Sequence, residues 1–332
     1  MPSRFCVLFF AAFSCALSAQ SFAAGLTDPA SLQSDLEKLT GNFDGRVGIC
    51  VRDQEHKSVS INGVARFPMQ SVVKLIIAAA AFDAMNRSGG SLDEPVIVHH
   101  EDLSLAHQPM AKLVDANGFH TTLGDLARRA IMDSDCAASD IVFRRIGGVE
   151  PIADFLARSG CSGIRADRDE RHLQTEIVGL EWTPEYVDAD TLQKAEDGVP
   201  EDRRTAAFEA YANDPRDTAT PEGMTVFLEA LATGKLLSSA STAQILNVMD
   251  QTVTGPDRLM AGIPADWKIG HKTGTSGDWH GVTAATNDVG ILRSPRGDTL
   301  FVSVFIAGSR RTDQKRAALI AEVARRATAA CH

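Results

Sequence analysis

The stretch Ser71-Val-Val-Lys-Leu-Ile-Ile-Ala-Ala-Ala-Ala-Phe82 reads as a helix and carries one charge, Lys74. A helix that is apolar all round has no face to offer to water, so it must be buried. An ammonium inside such an element is expensive unless it is paired, neutralised or kept for chemistry. Ser71 precedes Lys74 by one helical turn, which stacks the two side chains on one face. A serine hydroxyl beside a desolvated lysine is one recognised way to activate a nucleophile. The alternative, a snorkelling surface lysine, is disfavoured because no polar stripe accompanies it.

The chain has 332 residues, 44% hydrophobic and 23% charged, which suits a globular protein of one large domain or two smaller ones. Residues 1–23 read as a secretory signal peptide: Arg4 gives a basic start, Phe5 to Leu17 a short apolar core, and Ser-Phe-Ala-Ala24 the small residues for cleavage near Ala23 or Ala24. The apolar core is too short to span a bilayer. Cys15 raises a lipoprotein reading, for which Ala12-Phe13-Ser14 is a poor match. No later run is long enough to span, so the sequence predicts a periplasmic protein with no stable membrane association. The formal charge of −10 becomes one unit more negative once Arg4 is removed. Such an acidic exported chain is a poor partner for nucleic acid or anionic lipid. Cys50, Cys136, Cys161 and Cys331 remain, too widely spaced for a disulfide framework, and read mostly as small buried hydrophobes. The nine histidines show no metal-ligand spacing, and His99-His100 after Pro-Val-Ile-Val98 read as strand-end residues. No metal or cofactor is expected.

Residues 31–39 look like a first helix, and 46–52 and 58–63 like two strands around a polar turn. From Pro68 to about Leu246 the pattern is mainly helical, for example over 123–132, 149–157 and 221–233. Strands return at 267–273, at 281–286 running on into 288–292, and at 299–306, before a closing helix over 313–328. Strands at both ends around a helical block predict an antiparallel five-stranded sheet built from the two ends, flanked by terminal helices and packed beside an all-helical subdomain. The expected division is 24–66 with 250–332 for the sheet subdomain and 67–249 for the helical one, with a cleft between them. Residues 174–213 form a long acidic stretch with a short helix starting near Pro200, of a length that tends to be functional or mobile.

A lone Ser-x-x-Lys means little; an ordered set means more. Ser71-Val-Val-Lys74 is followed by Ser134-Asp135-Cys136, by Asp167-Arg168-Asp169-Glu170 with Gln174, and by Lys272-Thr273-Gly274-Thr275 on a late strand. Ser71 near a helix start is placed where developing negative charge is favoured. Taken alone, Ser134 serves equally well as a helix N-cap, and Glu170 as a solvated loop charge.

With these motifs in this order the chain resembles the class A serine β-lactamases from about Ser31 to Thr328, most closely the extended-spectrum branch in His271-Lys-Thr-Gly-Thr-Ser-Gly277. The resemblance implies the fold shared with penicillin-binding proteins and a serine acyl-enzyme that hydrolyses β-lactam antibiotics. Ser71 would be the nucleophile, Lys74 the nearby base or proton relay, and Ser134 the bridge between Lys74 and Lys272 that protonates the lactam nitrogen. Glu170 would be the general base for deacylation, with Gln174 helping to hold its water. The backbone N–H groups of Ser71 and Thr275 would form the oxyanion hole. Lys272, Thr273, Thr275 and Arg258 would bind the substrate carboxylate, Arg258 replacing a guanidinium whose usual strand position is taken here by Gly281. His107 falls where an aromatic gate is common. Arg168 and Asp217 match the ion pair that closes the omega loop, here enlarged to about 168–217.

Cys136 departs from the asparagine usual in the second motif, and a thiol replaces an amide poorly. Either it is a tolerated small residue, or it alters substrate range with a thiol exposed in the cleft. The expected protein is a monomeric β-lactamase. The rivals are a D-alanyl-D-alanine carboxypeptidase or transpeptidase with slow deacylation, and a non-catalytic β-lactam or muropeptide binder on the same fold.

Overall fold

The computed structural model describes residues 25–331; the expected signal segment, with Arg4 and Cys15, lies outside them. Helix α1 (Pro29–Thr40) starts where the Asp28 side chain accepts from Ser31 N. Strands β1 (Arg46–Asp53), β2 (Ser58–Ile61) and β3 (Phe67–Pro68) follow. A 3-10 turn at Gln70–Val72 leads directly into α2 (Val73–Ser88), which is buried continuously from Val73 to Phe82 and ends at Gly89 in the left-handed region. Strands β4 (Pro95–Val98) and β5 (Phe119–Thr122) pair with each other. Helices α3 (Leu123–Met132), α4 (Cys136–Arg145) and α5 (Val149–Arg158) then pack against α2.

The acidic segment is far more regular than its sequence predicts. It contains α6 (Glu170–Ile177), α7 (Ala189–Asp197) and α8 (Glu201–Asn213). The missed helix α7 has its start signal in Asp188, whose side chain accepts from Thr191 N. Strand β6 (Thr218–Ala219) pairs with β3, and α9 (Pro221–Ala232), α10 (Ser239–Met249) and the short α11 (Leu259–Gly262) complete the helical part. The chain closes with β7 (Lys268–Thr275), β8 (Asp278–Trp279), β9 (Val282–Arg293), β10 (Thr299–Ser309) and α12 (Asp313–Ala329).

The main sheet is antiparallel throughout, in the order β2-β1-β10-β9-β7, and β8 adds a sixth short strand on β9. Residues 282–293 form one continuous strand. Gly281 is therefore not on it: His280 and Gly281 have φ 50° and 70°, and Trp279 pairs with Val282. Two central residues with positive φ make a two-residue hairpin turn.

Strand β10 shows why this sheet needs cover on both sides. Leu300, Val302, Val304 and Ile306 point into a core with Leu32 and Leu36 of α1 and Leu319, Ile320 and Val323 of α12. Phe301 and Phe305 point the other way, into the core that contains α2 and α9. A strand that alternates between two apolar layers reads as an unbroken hydrophobic run. The cleft lies where β7 meets the turn at Gln70–Val72.

Candidate active site

The backbone ahead of Ser71 is held by the sheet. Asn287 on β9 donates from Nδ2 to the carbonyls of Pro68 and Met69, each at 2.9 Å. Gly274 on β7 comes so close that a Cβ there would sit 2.4 Å from Met69 O, so only glycine fits. Gln70 has φ 47°, an uncommon conformation for a residue with a side chain, immediately before Ser71. Positive φ recurs at Ser134, at 57°, and at Asp217, at 51°. Such conformations persist only where the surroundings over-determine them, and they tend to cluster at functional sites. Ser71 itself remains half-buried one turn ahead of Lys74.

Lys74 has no exposed surface and Glu170 is 2% exposed. The Lys74 Nζ donates to Ser134 O at 2.6 Å and to Cys136 Sγ at 3.2 Å, and lies 3.2 Å from Glu170 Oε1. That last contact is an ion pair without hydrogen-bond alignment; among the described residues Glu170 Oε1 accepts no hydrogen bond. Burial alone would lower the Lys74 pKa, but Cys136 and the Glu170 carboxylate outweigh it and raise it. Cys136 is itself pushed up to about 12, first by burial and then by Glu170, against the pull of Lys74, so it is a neutral thiol. Glu170 is thus the charge that keeps Lys74 an ammonium.

Ser134 joins the two lysines through different atoms. Its carbonyl takes the bond from Lys74, and its Oγ accepts from Lys272 Nζ at 2.8 Å. The N-cap role is filled by Asp135, whose carboxylate accepts from Ala138 N and Met110 N, so Ser134's hydroxyl is not committed to the helix. The expected cleft-exposed thiol is corrected: Cys136 is in the first turn of α4, buried, with its sulfur turned to Lys74. All four cysteines among the described residues are buried and unpaired.

Glu170 opens helix α6, which is seated on a second buried carboxylate. Asp140 Oδ1 accepts from Glu170 N at 2.7 Å, and Oδ2 from Ser104 Oγ at 2.6 Å and Arg171 N at 3.2 Å. Burial, then the charges of Asp169 and Glu170, push Asp140 up to about 7. Gln174 Nε2 donates to Glu170 Oε2 at 2.9 Å and to Gln70 Oε1 at 3.0 Å. The segment from Arg168 to Asp217 is closed at its base by Arg168 Nε on Asp217 Oδ2 at 2.7 Å, with Asp217 Oδ1 also accepting from the N–H groups of Asp167 and Arg168.

On the opposite wall, Lys272 is fully buried; burial, then repulsion from Lys74, hold its ammonium well below the ordinary lysine range. Thr273 Oγ1 meets Thr254 Oγ1 at 2.6 Å. Arg258 spans the end of β7, donating from Nη2 to Thr275 Oγ1 at 2.6 Å and from Nη1 to Asn287 O at 2.8 Å. The residue paired with Thr275 across the sheet is Thr286, so Gly281, in its turn, does not occupy the strand position that Arg258 serves. His107 stands exposed at the rim, its Nε2 bonded to Asp133 O at 2.9 Å. Lys74, Ser134, Cys136, Glu170, Gln174 and Lys272 are thus brought into one bonded network, with Ser71 at its helix start and Thr275 and Arg258 at its edge. The His107 side chain lies outside it, although its backbone carbonyl accepts from Cys136 N at 2.9 Å.

Four side chains in this network escaped the sequence reading. Asn287 and Gln70 sit beside motif residues and gave no signal of their own. Asp140 did leave one: it is an acid on the buried face of α4, one turn after Cys136. Tyr211 of α8, bonded to Gln70, could not be inferred. Beside the network a cavity of about 230 Å³ opens between α6, α7, α8 and β8, with Gln174, Ile177, Leu192, Phe208 and Trp279 in its walls.

Residues 31–331 match the Beta-lactamase enzyme family. The curated relatives include Beta-lactamase VEB-1 of Pseudomonas aeruginosa, 28% identical, with 89% of this chain and 88% of the relative covered. Extended-spectrum beta-lactamase PER-1 of the same organism is 28% identical over 94% of this chain and 90% of its own. Among solved structures, the last common ancestor of Gram-negative bacteria β-lactamase class A is 31% identical, with a TM-score of 0.73 over 91% of this chain and 100% of that one. A β-lactamase from Chitinophaga pinensis is 25% identical, with a TM-score of 0.76 over 91% of this chain and 100% of its own.

Proposed function

The chain belongs to the β-lactamase enzyme family as a class A serine β-lactamase, and from that premise we propose how its residues share the work. The reaction is hydrolysis of the β-lactam amide bond, which confers resistance to β-lactam antibiotics. Ser71 Oγ attacks the lactam carbonyl carbon, and its proton passes to the Lys74–Glu170 pair. The N–H groups of Ser71 and Thr275 take the developing oxyanion, where a single preorganised donor is worth about 3 kcal/mol. Ser134 Oγ gives its proton to the lactam nitrogen as the C–N bond breaks, and recovers one from the lysines on either side. In the second half Glu170 takes a proton from water, the water oxygen attacks the acyl carbon, and the proton ends on Ser71 Oγ. Lys272, Thr273, Thr275 and Arg258 receive the substrate carboxylate, and that anion favours the charged form of Lys272 which burial disfavours.

The observation that carries this reading is the meeting of Lys74, Ser134 and Glu170, all three buried. A buried carboxylate beside Lys74 suits a general base for fast deacylation, which would set the protein apart from a carboxypeptidase that stays acylated. Purified protein should turn over nitrocefin, and Ser71→Ala should abolish turnover. Glu170→Ala should accumulate acyl-enzyme visible by mass spectrometry; continued fast turnover would remove Glu170 from the mechanism.

We propose that the protein works in the periplasm, on the strength of the signal-like sequence at residues 1–23. Among the described residues no helix is long and apolar enough to cross a membrane. Fractionation of a producing cell, with the mature mass read after release of the periplasm, tests this.

A further inference from the structure

Helix α8 belongs to the long segment between α6 and Asp217, yet one of its side chains is linked to Glu170 through a chain of hydrogen bonds. Tyr211 is buried, and its hydroxyl accepts a hydrogen bond from Gln70 Nε2 at 2.6 Å. Gln70 Oε1 accepts from Gln174 Nε2 at 3.0 Å, and the same nitrogen donates to Glu170 Oε2 at 2.9 Å. The donor directions along this chain follow from one fact. An ionised Glu170 can only accept, so Gln174 must present its nitrogen to it. The second hydrogen of that nitrogen then requires an acceptor on Gln70, which turns Gln70's own nitrogen to Tyr211. Reversing any one amide would set two donors or two acceptors face to face.

The far end is firmly held. Tyr211 packs with Leu173, Ile177, Ala284 and Phe208 in a small apolar cluster, and burial raises its phenol pKa, which keeps the hydroxyl neutral. A second tie fixes α8 to the sheet edge, where Trp279 Nε1 donates to Thr205 Oγ1 at 3.0 Å. The near end acts on the carboxylate oxygen that faces away from Lys74. Glu170 Oε2 is occupied by Gln174, so Oε1 is the oxygen presented to Lys74, and it is buried without a hydrogen bond of its own.

We propose that Tyr211 is a positioning residue for deacylation, acting through Gln70 and Gln174 to fix the orientation of the Glu170 carboxylate. This rests on the general-base role given to Glu170 above. The inserted helix α8 is then a working part of the catalytic apparatus. Acylation also sends the Ser71 proton to the Lys74–Glu170 pair, but it does not need that carboxylate aimed at a water, so it depends less on the Tyr211 tie.

The test is a set of pre-steady-state and steady-state measurements on nitrocefin with the full mature enzyme. Tyr211→Phe keeps the ring and its packing and removes only the hydroxyl. Loss of orientation should lower kcat about tenfold while kcat/KM stays within about twofold, with a burst and a visible acyl-enzyme. Gln174→Leu cuts the chain nearer the base, so the double variant should be no slower than Gln174→Leu alone. The proposal is overturned if kcat and kcat/KM fall together, if neither changes, or if the two substitutions add. Glu170→Gln separates the levels. If it traps acyl-enzyme while Tyr211→Phe behaves as the parent, the Tyr211 role alone is lost. If it turns over at the parent rate, the role of Glu170 fails and takes this one with it.

Discussion

Cys136 lies against the Lys74 ammonium with no cleft exposure, so its chemistry is that of a small neutral packing group. The thiolate is the reactive form, and a thiol pushed up to about 12 supplies almost none of it at neutral pH. Native protein should leave Cys136 unlabelled by iodoacetamide at pH 7.5, with labelling only after unfolding; peptide mass spectrometry reads this directly. Cys136→Asn should raise kcat/KM about tenfold for penicillins and cephalosporins that carry a side-chain amide, the worth of one well-made hydrogen bond. Unchanged kinetics on those substrates would show that the thiol is merely tolerated. Asp140 gives a pH signature. Its folded pKa of about 7 is above the unfolded carboxylate value, so the folded state binds its proton more tightly. Stability from this group is therefore full at low pH and declines as pH rises through about 7, with a slope of at most ~1.4 kcal/mol per pH unit. Asp140→Asn is neutral at every pH and should flatten that decline in urea-unfolding free energies measured from pH 4 to 8. Ser71 and Lys74 could be placed together from sequence because helical spacing alone puts them on one face. Tyr211 could not, because nothing local in a chain records which distant residue will stand behind Gln70.

At the scale of elements, the long segment after α6 behaves as built structure. Trp279 on β8 ties it down twice, by its hydrogen bond to Thr205 and by the Arg204 guanidinium 4.6 Å above its ring. Those contacts are worth about 1–2 kcal/mol together. Trp279→Ala should raise amide hydrogen exchange across α8 by about tenfold while α2 and β10 keep their protection. The sequence announced few of these contacts. Acidic composition hid α7, whose capping Asp188 is one carboxylate among many. Likewise the sequence places Gly281 at the start of a strand, because Gly-Val-Thr-Ala-Ala-Thr is continuous in composition, whereas it lies in the turn with His280. The apolar elements were plainer: α2 and β10 are long enough, and uniform enough, for periodicity to settle them.

For the molecule as a whole, the sheet is the union of the two chain ends, and α12 covers most of one face. Removing residues from 313 onward would uncover Leu300, Val302, Val304 and Ile306 together. Leu292, in the same core, would lose its cover as well. Each such side chain contributes about 1.5–3 kcal/mol by burial, so their combined exposure is as large as the whole margin of an ordinary domain. The truncated protein should show no cooperative thermal transition and should bind a hydrophobic dye. The fold class was legible because this arrangement needs only the order of strand and helix patterns along the chain. The pairing of β1 with β10 has a further meaning for biogenesis. Strand β1 gains β2 on one edge early in synthesis, but its other edge stays open until β10, late in the chain, has been made. A chain whose export is proposed here can therefore complete its main sheet only once β10 has been synthesised.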